Sequence, residues 1–126
     1  MEIYNLMPHA CDVFHEDGRK TTLESKGELR LKSDIQKTLT PIAGLPVVEP
    51  QWFQSLDETS KGYAFFMDKK SLGKSVAFVV SAVTAQWLAG HDVADYRLLA
   101  PATGPLHAVR DATGRILGCK ALEMYR

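Results

Sequence analysis

VAFVVSAVTAQWLA, residues 76–89, decides the fold. It reads either as one buried helix or as a strand, Val76 to Val80, followed by a helix that Ser81 caps. The second reading is preferred. VAFVV is dense in β-branched residues, which suit a strand covered on both faces. Ser81 is a favourable N-cap residue. Val83 and Trp87 lie four apart on one helical face, and Gly90 suits the position just past a helix end. A helix this short draws its stability from packing, here mainly of Trp87 and Leu88.

Downstream, Tyr96 to Ala100 (YRLLA) reads as a strand stopped by Pro101. His107–Asp111 and Arg115–Ala121 then form a hairpin, with Asp111 and Gly114 at the ends of a type I turn. Upstream, Tyr63–Met67 (YAFFM) reads as a strand and Asp68–Lys74 as a charged turn. Gln51–Leu56 (QWFQSL) suits either a helical turn or a strand. Pro41, Gly44, Pro46 and Pro50 break any long element, leaving Leu45–Val48 as a short edge strand. At the start, Cys11, Val13 and His15 alternate with Asp12 and Phe14. Glu16-Asp17-Gly18 turns the chain, Lys20–Glu24 returns, and Glu28–Lys32 adds a third strand to a meander. The expected class is α+β and mainly antiparallel: two terminal hairpin units, as a small barrel or sandwich, with one short helix near 82–89. No linker divides the chain, so residues 1–126 are expected to form a single domain.

Apolar residues make up 45% of the chain and charged residues 24%, which are ordinary globular proportions. A chain of 126 residues buries roughly two thirds of the surface its unfolded form exposes, enough for a core without staples. Fifteen basic and fifteen acidic residues cancel. That balance argues against a dedicated nucleic-acid binder, which needs a basic surplus. It also removes repulsion between copies, so a homo-oligomer is expected. The two cysteines, Cys11 and Cys119, are too few for a disulfide framework. They can bridge only if the terminal segments pack together, and free thiols are expected. The opening MEIYNLMPHACDVF lacks a basic start followed by a long apolar stretch, and no stretch is long enough to span a bilayer. No membrane association is expected, and the cytoplasm is the expected location.

Candidate chemistry is sparse. His9, Cys11 and His15 would face one way on a strand, but zinc sites favour paired ligands on tight turns. No metal and no cofactor is expected. A cysteine nucleophile needs a positioned base, and none is recognisable beyond the nearby histidines. Gly73-Lys74-Ser75 resembles the end of a phosphate-binding loop, yet Asp68 stands where that loop needs glycine. Lys61, Lys69, Lys70 and Lys74 form a basic stretch. An exposed aromatic beside lysines is a reasonable interface hot spot, so Phe65, Lys69 and Lys70 are the candidate partner-binding residues.

Three stretches carry a resemblance: Asn5-Leu6-Met7-Pro8-His9, Val79-Val80-Ser81-Ala82-Val83, and Val109-Arg110-Asp111 through Gly114-Arg115-Ile116-Leu117-Gly118-Cys119. Their order and spacing resemble a family of small uncharacterised tailed-phage and prophage proteins. That family opens Asn-Leu-Thr-Pro-His, from which Met7 departs, and residues 40–74 match poorly. The resemblance implies a phage-encoded accessory protein in a bacterial host cytoplasm, and it brings no established activity. Within these stretches Pro8, Ser81, Asp111 and Gly114 have structural duties. His9, Arg110 and Arg115 do not, so they are the candidate ligand-binding residues. Arginine suits phosphate or carboxylate because its fork is planar and always charged. The favoured expectation is stoichiometric binding of a host protein or a small anionic ligand, including a nucleotide signal of host defence. The alternatives are a small cysteine/histidine-dependent hydrolase or transferase and a particle assembly component.

Overall fold

The computed structural model describes residues 1–33, 36–50 and 52–126. Among them the chain runs β1 (Glu2–Asn5), β2 (Cys11–Phe14), β3 (Lys20–Leu23), β4 (Leu31–Ser33), β5 (Thr38–Ile42), β6 (Leu45–Val48) and β7 (Phe53–Leu56). Helix α1 (Tyr63–Lys69) and a 3-10 segment (Lys70–Ser75) follow, then β8 (Val76–Val79) and α2 (Ala82–His91). The chain ends with β9 (Arg97–Pro101), β10 (Ala108–Arg110), β11 (Ile116–Cys119) and β12 (Leu122–Met124).

The stretch read first is a strand followed by a capped helix. All four residues of β8 are buried, because β1 and β9 flank it in parallel within a sheet ordered β1-β8-β9-β12. A strand with neighbours on both edges and covered faces has no polar side, which accounts for the continuous apolar run. Ser81 ends the strand and caps α2: its Oγ accepts from the Thr84 N–H at 3.3 Å and donates to Thr84 Oγ1 at 2.9 Å. The helix buries Thr84, Ala85 and Leu88. The Val83–Trp87 face differs from expectation, since Val83 is half exposed and Trp87 only partly buried. Gly90 lies inside the helix, and Asp92 closes it by donating its N–H to the Leu88 carbonyl.

The fold is α+β, and two further features were not expected. Glu2–Asn5 is a strand, so the central sheet is mixed, with a parallel core. Tyr63–Met67 is the body of α1 and not a strand. The aromatics obey the helical period: Tyr63 and Phe66 face inward three residues apart, while Ala64 and Met67 face out. Gly62 begins this helix against the backbone of Gly27–Leu29, where any β-carbon would collide. Phe66, Phe78 and Tyr96 then meet edge to face, with ring centroids 5.0–5.4 Å apart, and form the centre of the core.

The terminal hairpins form as read. Cys11 pairs with Leu23 and Phe14 with Lys20, while β10 and β11 pair around the Asp111–Gly114 turn. The meander does not continue. At Gly27 (φ 107) the chain leaves the hairpin, the Leu29 N–H bonds to the Leu6 carbonyl, and β4 pairs with β7. Leu29 is thereby buried in the core. The ambiguous segment is strand over Phe53–Leu56; Gln51 lies outside the described residues. The charged stretch after Met67 is helical, first in α1 and then in the 3-10 segment. Leu45–Val48 is a strand, paired among the described residues only with β5. The two terminal hairpins join edge to edge in a sheet ordered β10-β11-β2-β3, through parallel pairing of Cys119 with Val13. Among the described residues that sheet is open and no barrel closes.

Candidate functional site

Three parallel strands, β1, β8 and β9, end on the same edge of the central sheet. In such sheets the crevice beyond the carboxyl ends collects loops and helix N-termini. Here it is a cleft of about 540 Å³. One wall is the segment after β1, including Met7 and His9; another is the start of α2 at Ser81; β11, with Arg115 at its head, closes the third side. The opposite ends of the chain thus meet over the middle.

Asn5 organises the first wall. Its buried amide donates to the His9 carbonyl at 2.9 Å and to the Leu23 carbonyl at 2.8 Å. Its Oδ1 accepts the Met7 N–H at 2.8 Å. One side chain therefore folds residues 5–9 into a loop and anchors that loop to the N-terminal hairpin. His9 stands exposed at the end of it, its Nδ1 3.0 Å from the Ala10 carbonyl.

Asp111 organises the third wall. Its Oδ1 accepts from the Thr113 N–H, the Thr113 hydroxyl and the Arg115 N–H at 2.6–3.0 Å. These donors hold the carboxyl below the usual range, the Thr113 hydroxyl most. The turn launches Arg115 into the cleft, and its guanidinium has no partner among the described residues. Arg110 does otherwise. It donates to the Gly114 carbonyl at 2.7 Å, braces the turn, and does not line the cleft.

Helix α2 supplies the third element. The first N–H groups of a helix lack intrahelical acceptors, and this end carries partial positive charge. Ser81 satisfies the Thr84 N–H, and Ala82 lies on the cleft wall. The cleft's one carboxylate, Asp12, accepts a hydroxyl hydrogen bond from Thr22 at 2.6 Å. Apolar groups, among them Ile116 and Leu117, line the remainder. A second cleft of about 500 Å³ shares Met7, His9 and Ser81 and extends toward Arg30. Arg30, however, already pairs with Glu28 and Asp57.

Cys11 and Cys119 sit in the first cleft, both buried and both free thiols. Burial first, then the adjacent Cys119, pushes the Cys11 thiol up to about 11. A thiol so protonated is a poor nucleophile at neutral pH. Among the described residues no imidazole is hydrogen-bonded to it. His15 bonds to Thr21 Oγ1 at 2.6 Å and does not line this cleft. No group of three His, Cys, Asp or Glu among the described residues is placed to hold a metal ion.

The candidate partner residues are only partly gathered. Phe65 packs edge to face on Tyr4 at 4.8 Å, and the Lys69 ammonium lies 5.9 Å from both ring centroids. Lys70 is turned inward and pairs with Asp92 at 2.8 Å. Gly73-Lys74-Ser75 lies in the 3-10 segment before a strand and cradles no helix start.

Sequence reading placed His9 and Arg115 in a site but missed Asn5 and gave Ser81 only its capping role. The signal for Asn5 was available: a short amide side chain just before a Pro-containing turn, where it can bond local backbone. No family model, no curated protein and no solved structure matches this chain. Among the described residues no helix is long and apolar enough to cross a membrane.

Proposed function

We propose that this chain is a binding protein that takes up a small anionic ligand in the cleft, acting by stoichiometric capture and not by turnover. One observation carries the reading: His9 and Arg115, from opposite ends of the chain, share a single cleft with the N-terminus of α2. An unpaired guanidinium, an exposed imidazole and helix-end N–H groups are together a recognition set for phosphate or carboxylate. The apolar lining suits a ligand with a nonpolar body, as in a nucleotide. The resemblance to phage proteins supplies a context, an accessory protein in a host cytoplasm that sequesters a defence signal.

Isothermal titration calorimetry with a nucleoside monophosphate and with inorganic pyrophosphate tests this. Saturable one-to-one binding is expected, weakened about tenfold or more by Arg115→Ala, as loss of a charge-assisted bond predicts. Arg110→Ala should leave affinity unchanged. Equal losses in both variants, or no binding of either probe, would remove the reading.

A second reading, docking onto a host protein or another copy of this chain, is favoured by β5 and β6. Eight of their nine residues are exposed, among them Leu39, Ile42, Leu45 and Val48.

A further inference from the structure

The seam between the two terminal hairpins is narrow. It rests on parallel pairing of β11 with β2 at Cys119 and Val13. Gly118 makes the approach possible: a β-carbon there would lie 2.5 Å from the Asp12 carbonyl oxygen and 2.8 Å from the Phe14 ring. Cys11 lies two residues before Val13, hence on the same face as Cys119's partner. Both thiols line the cleft, and the Cys119 Sγ lies 3.8 Å from the Asp12 carbonyl, to which it donates. Two buried thiols from the two ends of the chain thus lie beside the seam that joins the hairpins, Cys119 paired opposite Val13, two residues from Cys11.

We propose that Cys11 and Cys119 form a reversible disulfide that locks the N-terminal hairpin to the C-terminal hairpin, with a peroxide as oxidant. One thiol loses its proton, and its sulfur attacks a peroxide oxygen. The O–O bond breaks, leaving a sulfenic acid and a hydroxide that takes up the proton. The second thiol attacks the sulfenic sulfur, forms the S–S bond and expels water. Two thiols and one hydrogen peroxide become one disulfide and two waters. Both cysteines line the cleft, the side from which a peroxide would approach. A small dithiol reverses the reaction by exchange.

The bond would close nearly the whole chain into one loop. Cross-links of that span restrict the unfolded state most. Burial of Cys11 makes its thiolate scarce at neutral pH, so the reaction should quicken as pH rises.

The test is to treat the full chain with hydrogen peroxide, block remaining thiols, and measure intact mass, linked peptides and melting temperature. The expected product is monomeric and lighter by two hydrogens, with a single peptide pair joining the Cys11 and Cys119 segments. Its melting temperature should rise by about 10 °C or more and return on dithiothreitol treatment. Cys119→Ala should abolish the linked pair and the rise. Peptide mapping of the wild type stands even if that variant folds poorly. Sulfinic acid at either cysteine without the link, covalent dimers, or two thiols still alkylated after oxidation would each overturn the proposal.

Discussion

Residues 76–101 and residues 38–48 are both rich in Val and Leu, yet they have opposite fates. The first forms β8, α2 and β9, where Val76, Phe78, Leu88 and Leu98 are wholly buried. The second forms the β5–β6 hairpin, where Ile42 and Leu45 are each 66% exposed. Composition does not separate them; neighbours do. Strand β8 has a partner on each edge and the Phe66–Phe78–Tyr96 cluster on one face. Among the described residues the hairpin pairs only with itself, and a lone two-stranded hairpin is marginal in water. Pro41 and Pro46 remove ladder donors from its strands, which blunts strand-to-strand aggregation while leaving side chains free to dock.

The largest effect should therefore come from the core. Phe78→Ala should cost about 3–5 kcal/mol in urea unfolding, through lost burial and the cavity left behind. Leu45→Ala, at the hairpin, should change stability by less than about 0.5 kcal/mol. Comparable losses in the two variants would show that the hairpin is buried against something and break the contrast.

A smaller effect should come from the corner that ties α2 to β9. Asp92 Oδ2 accepts from the Lys70 ammonium at 2.8 Å and from the Tyr96 hydroxyl at 2.6 Å. The Arg126 guanidinium donates to the Asp92 carbonyl and lies over the Tyr96 ring. Burial opposes ionisation of Asp92, but the bonds from Lys70 and Tyr96 outweigh it and hold the carboxyl below its ordinary value. A lowered folded-state value means stability that is full above the unfolded carboxyl range, near about 4. It is lost as pH falls through the folded value. Asp92→Asn should cost about 1–3 kcal/mol at pH 7 and flatten the acid limb of a stability–pH curve. An unchanged acid limb would show that the corner does not bear on folding.

What was legible in the chain follows the same contrast. The strand and its Ser81-capped helix could be read because β-branching and a capping hydroxyl act locally. So could the two hairpins, whose turns carry Gly18, Asp111 and Gly114. Tyr63–Met67 misled because five apolar residues in a row carry no period. Its helix begins at Gly62, which packs on Gly27–Leu29, a contact between distant segments. Strand β1 was hidden for a related reason: Glu2–Asn5 is short and becomes a strand only beside β8. His9 and Arg115 could be singled out as polar groups without structural duties. Arg110 could not be told from Arg115 until the turn showed which guanidinium reaches the Gly114 carbonyl.

The most direct test of the cleft is a titration of isotopically labelled protein with a nucleoside monophosphate, followed by backbone amide chemical shifts. The predicted result is a saturable response confined to residues 7–12, 81–83 and 115–119, with the β5–β6 hairpin silent. Shifts centred on Lys61, Lys69 and Lys74 with those segments unmoved would contradict the account.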